Sequence, residues 1–253
     1  MELDHPEGEG VIKTYMVAFG PFLGNLGPDQ DFVLGSVIED NIFDNTLGYE
    51  GTLGFVQTDG AIVKRNTFKN GRVTFARDTQ NILIANNDFE NSTIEMSWAP
   101  IVRGNTRVLN NRATINTQTP IDPIYGFFIM HPGAILEQMT IQGNTLTVIE
   151  DKTRTFFGFF HTKPNVTIGS LKLLENTLIR QKGDRSNTRS EFLYSFANFG
   201  AGSEVRGNRL FTDLDEPARG FYFRNVATPL LFDHSDNENS YSSQLIPTAG
   251  TDF

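Results

Sequence analysis

The sequence predicts an all-β fold in which one chain winds into a stack of parallel coils. Three observations carry this: a recurring asparagine motif, a Gly-Phe pair that recurs beside it, and a chain with 22 Phe and one Trp. In the motif an apolar residue precedes an Asn by three positions, and a second apolar or small residue follows two positions after it. The copies are Ile38/Asn41/Phe43, Val63/Asn66/Phe68, Ile84/Asn87/Phe89, Val108/Asn111/Ala113, Ile141/Asn144/Leu146, Leu173/Asn176/Leu178 and Val205/Asn208/Leu210. Successive asparagines are 25, 21, 24, 33, 32 and 32 residues apart, and an eighth copy is read at Asn239, 31 further on. Gly-Phe stands at Gly54-Phe55, Gly126-Phe127, Gly158-Phe159 and Gly220-Phe221, with Glu191-Phe192 filling the gap, and is read as a second marker in the same register.

Short β-type runs at such a period cannot each bury an apolar face, so the units must stack. Stacking sets equivalent residues about 4.8 Å apart along the axis. At that distance Asn side chains can hydrogen-bond from coil to coil, and Phe and Leu can stack inside. The repeated Asn is therefore read as structural.

The Asn turn, the Gly-Phe strand and the apolar strand after it resemble the right-handed parallel β-helix of the pectate-lyase-like superfamily. That group includes polysaccharide lyases, polygalacturonases and bacteriophage tailspikes. The resemblance implies a single-stranded right-handed parallel β-helix of seven to eight coils with capped ends, over about residues 37–241. It carries no chemistry across, because the calcium-binding Asp and catalytic Arg arrangement of the pectate lyases has no matching motif here.

The chain divides on this reading into an N-terminal arm and cap (1–36), the β-helix (37–241) and a C-terminal tail (242–253). Residues 1–10 are acidic and lack the basic start and apolar core of a secretory signal, so the expectation is either synthesis without that export route or a piece cut from a longer protein. Val11 to Leu23 is apolar and lacks the motif, as suits a cap over unpaired strand edges. The absence of Cys removes disulfides, thiolate metal sites and cysteine nucleophiles. A formal charge of −9 argues against nucleic acid or an anionic membrane as partner.

Coil length varies at one corner. From Asn to the Gly-Phe position the chain takes 13 residues in the first coil and 15, 14, 15 and 12 in the fourth to seventh. In the second and third coils it takes about six, with Asn70-Gly71 as a tight-turn dipeptide. Alternation after this corner places Phe127, Phe159, Phe192 and Phe221 inside, and so Phe128, Phe160, Leu193 and Tyr222 outside. An apolar stripe of that kind calls for loops or a second subunit to cover it, and self-association as a trimer is the expectation. The corresponding outward residues of coils two and three are Thr74 and Glu95. Those two coils should form a notch between the loops Asp44 to Leu53 and Thr117 to Tyr125.

Tyr49, Arg72, Arg77 and Trp98 are the candidate ligand-binding residues of this notch, with Lys69 beside them, and the mixture suits a sugar chain. Glu90, Glu95 and Asp122 are the candidate catalytic carboxylates, since glycoside cleavage needs two carboxyl groups across the scissile bond. Asp213, Asp215, Glu216, Glu150 and Asp151 lack the spacing of a calcium loop, so neither metal nor cofactor is expected. His131 and Lys163, each followed by Pro, mark one turn shared by two coils. His161 falls in the slot of Ile129 and is read as an interior histidine, and Gly200-Ala-Gly202 is read as a turn. The expected function is a tailspike-like structural β-helix of a virion or extracellular surface, binding a polysaccharide and associating with itself or with other virion proteins. The alternative is a polysaccharide lyase or glycoside hydrolase working in the notch.

Overall fold

The computed structural model describes residues 15–19, 33–45, 51–97, 100–116, 126–149, 158–181, 191–197, 199–212, 219–224, 236–239 and 247–250. Among them there are strands and turns but no helix, and every strand pairing is parallel. One sheet has 18 strands and the other eight, and each strand pairs with its counterpart one coil away. The chain is a parallel β-helix of about seven coils. Parallel pairing also reaches beyond 37–241 at both ends. Tyr15–Phe19 lies against Gly51–Asp59, and Pro247–Gly250 against Arg219–Arg224.

The eight-stranded sheet is built from the residues that follow each ladder Asn, from Ile42–Asp44 to Glu238–Asn239. The turn into it is always the same: a residue with positive φ, then the Asn. Asp40, Arg65, Asn86, Asn110, Glu175 and Asp236 take this left-handed conformation, as do Gly143 and Gly207. Only local side-chain bonding or a stabilising neighbour makes it tolerable for a residue such as Arg65. The Asn that follows supplies that neighbour.

The asparagines form a continuous ladder. Asn41, Asn66, Asn87, Asn111, Asn144, Asn176 and Asn208 each donate from Nδ2 to Oδ1 of the next Asn at 2.9–3.1 Å. Each also donates its backbone N–H to that same oxygen, at 2.9–3.0 Å. From Asn66 onward Nδ2 reaches back as well, to the carbonyl three residues before the preceding ladder Asn, as in Asn144 to Val108 at 2.9 Å. Buried amides must find partners, and a planar group with two donors and one acceptor oxygen fits this lattice. The eighth member is Asn237, 29 residues after Asn208, and not Asn239.

Inside, Phe43, Phe68 and Phe89 stack with ring centroids 5.0 Å apart. The next residue in that column is Ala113, followed by Leu146, Leu178 and Leu210. The aromatic stack does not stop at Ala113; it changes strand. Phe127 sets its edge against Phe89 at 5.5 Å, and Phe159 and Phe192 continue from it at 5.6 and 5.0 Å.

This packing corrects the expected register at the corner. Phe128, Phe160 and Leu193 do not face outward. They belong to the core, Phe128 in register with Ile94, and Phe128 and Phe160 stacked at 5.4 Å. Strict alternation holds along the straight part of a strand, whereas here the strands begin at Gly126 and Gly158, so the first two aromatic residues past the corner both reach the interior. Nor is Gly-Phe a single column: Gly54 is level with Thr74, Gly126 with Gly158, and Phe221 with Leu193. Three of the four residues of the apolar stripe that called for a second subunit are thus interior; the fourth, Tyr222, is level with Tyr194 and His161 on the neighbouring column.

Candidate functional site

The parallel strands Arg72–Gln80, Thr93–Met96, Gly126–Met130 and Gly158–Thr162 lie in successive coils. Val73, Ile94, Phe128 and Phe160 share the column that faces the core. The neighbouring column runs Thr74, Glu95, Ile129, His161 and belongs to the opposite face. Glu95 and Thr74 are therefore on the outer face, as expected, yet both are buried. His161 shares its level with Ile129, also as expected, and is buried, but on this outer column and not in the central core.

Glu95 is the centre of a polar cluster drawn from three coils. Thr93, two residues back on its own strand, donates from Oγ1 to Glu95 Oε1 at 3.0 Å. Arg72 is paired with Thr93 from the coil below, and its Nε stands 3.4 Å from the same oxygen. From the coil above, His131 Nε2 lies 3.0 Å from Glu95 Oε2. Both cross-coil contacts are diagonal, one two residues back and one two residues forward, within reach of long side chains on one sheet face.

The turn beyond Met130 fixes the imidazole. Ala134 N donates to His131 O at 3.2 Å across Pro132 and Gly133, and Gly133 has φ +82°. Proline then positive-φ glycine is the type II pattern. His131 N donates to Met96 O and Lys163 N to Met130 O, both at 2.9 Å, so the two Pro-containing turns are equivalent.

Burial, the largest influence on Glu95, pushes its carboxyl pKa up. The His131 bond, the Arg72 charge and the Thr93 hydroxyl together outweigh it and hold the group below its ordinary value. Glu95 is consequently an anion at neutral pH and a poor proton donor. A depressed folded-state pKa contributes stability that is present above about pH 4.5 and lost as pH falls further. Glu95→Gln is expected to lower stability by about 1.5–3 kcal/mol at neutral pH, the range for hydrogen bonds to charged groups. The deficit should shrink below pH 4.5 in denaturant titrations, and a deficit independent of pH would mean the charge is not its source.

The structure brings together Arg72 and Glu95 of the expected site residues. Glu90 stands instead on the eight-stranded sheet, exposed, with its carboxylate 3.7 Å from Lys69, so it does not join Glu95. Arg77 is exposed near the other end of its strand, with φ +59°, where the pairing with the coil below shifts register. Tyr49, Trp98 and Asp122 lie outside the described residues, as do Glu150, Asp151, Asp213, Asp215 and Glu216. His131 and Thr93 are the members that sequence reasoning missed.

The corner beside this cluster has the expected profile. Two residues, Asn70-Gly71 and Asn91-Ser92, separate the strands in coils two and three. Residues 117–125, 150–157 and 182–190 do so in the next three coils. Fold and cluster together define the class: a parallel β-helix with a buried anion and half-exposed basic groups on one outer face. The chain matches no protein-family model, no curated protein and no solved structure.

Proposed function

We propose that this chain is a glycan-binding structural β-helix, of the kind found in the spike proteins it resembles, with its ligand lying on the outer face around Arg72, Glu95 and His131. One observation carries the reading. Basic side chains preorganised by a buried carboxylate sit beside the only two-residue corners of that edge among the described residues, and the coils above have much longer connections there. Sugar hydroxyls need fixed donors and acceptors on a rigid floor, and loops on a stacked scaffold are where repeat proteins vary to bind.

The state of Glu95 argues against one catalytic role, that of the proton donor. A carboxylate with three partners, held ionised, serves to aim Arg72 and His131 and is ill suited to protonate a leaving oxygen. Trimeric association is not part of the proposal, since Phe128, Phe160 and Leu193, three of the four residues that suggested it, are interior.

The test is a panel of bacterial capsular and plant polysaccharides, read by direct binding and by release of reducing ends or ultraviolet-absorbing products. Binding of at least one glycan without turnover is expected, weakened about tenfold or more in Arg72→Ala and in His131→Ala, as for loss of one charge-assisted hydrogen bond. Full binding by both folded variants would place the ligand elsewhere. Cleavage would replace this reading with an enzymatic one.

A further inference from the structure

We propose that Asn70 is a self-modifying position, able to cyclise with Gly71, and that Ser92 of the next coil sets how fast it does so. Asn70-Gly71 is the one Asn-Gly pair in the sequence. Glycine offers the least hindered backbone nitrogen, which makes this dipeptide the most prone to attack its own side chain. In that step the Gly71 nitrogen bonds to Asn70 Cγ, the Cγ–Nδ2 bond breaks, and ammonia leaves with the proton that Gly71 gave up. Water then opens the five-membered imide at either carbonyl, giving aspartate or isoaspartate.

The fold restrains each participant. Gly71 N donates to Ser92 Oγ at 3.1 Å, and both residues are buried. Ser92 Oγ is itself fixed by donating to Glu90 O at 2.9 Å, the carbonyl that also accepts Asn70 N at 2.9 Å. Gly71 O accepts from Thr93 N at 3.1 Å. Two consecutive tight corners are thus clamped together, with Asn70 at φ +57°. There is no slack on the other side either: a Cβ on Gly71 would meet Thr52 Oγ1 in overlap. The nucleophilic nitrogen is freed only when this corner opens, so the modification rate in the native protein is the unfolded-chain rate scaled by the fraction open.

The location gives the chemistry a consequence. Asn70-Gly71 leads directly into Arg72, so deamidation adds a carboxylate, and in the iso form an extra backbone atom, to a two-residue corner beside the Glu95 cluster. This inference does not depend on a glycan being bound there.

Mass spectrometry of the peptide containing Asn70, after incubation at mildly alkaline pH, tests it. Native protein should convert at least about tenfold more slowly than the same chain in strong denaturant. Ser92→Ala should convert about fivefold faster than wild type, and Ser92→Thr, which keeps the hydroxyl, should stay close to wild type. If Ser92→Ala does not fold, hydrogen exchange of the Gly71 amide in wild type decides, since it must be protected and must rise with the deamidation rate in sub-denaturing urea. Native conversion at the denatured rate, a folded Ser92→Ala with unchanged rate, or an unprotected Gly71 amide would each overturn the proposal.

Discussion

Asn144→Ala is expected to cost about 3–5 kcal/mol, a large part of the 5–15 kcal/mol that holds a typical domain folded. The loss comes from what the side chain leaves behind. Asn144 Oδ1 accepts both the backbone N–H and the Nδ2–H of Asn111 at 2.9 Å, and Asn144 Nδ2 supplies Val108 O and Asn176 Oδ1, each at 2.9 Å. The site is buried, so water cannot replace these partners, and each orphaned group costs about 1–3 kcal/mol. Asn144→Asp should be no better: it keeps an acceptor for Asn111 but turns an anion toward Val108 O and Asn176 Oδ1. Asn41, at the exposed end of the ladder, is the contrast, and Asn41→Ala should cost about 1 kcal/mol. Equilibrium denaturation of the three variants tests this, and equal small losses at both positions would mean that the ladder accompanies the fold without stabilising it.

That ladder was also the most legible feature of the chain, for a physical reason. Only Asn offers two donors and an acceptor on a short planar arm, so each coil needs the same residue at the same offset, and repetition exposes it. The eighth rung was misplaced because Asp236-Asn237-Glu238-Asn239 presents two asparagines two residues apart, and only the hydrogen bond from Asn208 chooses between them. The corner defeated pattern reading differently. Phe127 and Phe128 are both buried, so no alternation of polar and apolar residues marks which one continues the column from Ile94.

The site was half legible for a related cause. Thr74 and Glu95 stood out as polar residues on the outer face, and Arg72 as a basic residue just after a short corner that could be counted. The expected register, however, set Glu95 level with Phe128, where the structure sets it level with Ile129. His131 meets Glu95 across 36 residues and on a diagonal, after an insertion of variable length, so no fixed offset announces the pair. Its visible signal was the Pro-Gly that follows it, which marks a rigid turn and says nothing of what the imidazole touches.

The strand change of the aromatic stack leads to the second large effect. Phe127→Ala is expected to cost about 3–5 kcal/mol, as for a fully buried aromatic ring. Phe127 takes up the stack where Phe43, Phe68 and Phe89 give way to Ala113. A ring at Ala113 would stack on Phe89 from the register position directly above it, the face that Phe127 now meets edge-on. In the wild-type background Ala113→Phe should therefore overpack the core and cost about 1–3 kcal/mol. Combined with Phe127→Ala, the same substitution should recover about 1–2 kcal/mol, because the new ring enters the vacated space. The two changes are then strongly coupled, with the double variant more stable than the sum of the singles predicts by well over the 0.5 kcal/mol scatter of independent sites. Denaturant midpoints of the four proteins close this cycle. Simple additivity would mean that the rings at 89 and 127 share no space, and that the aromatic column ends at Phe89 without passing from one strand to the next.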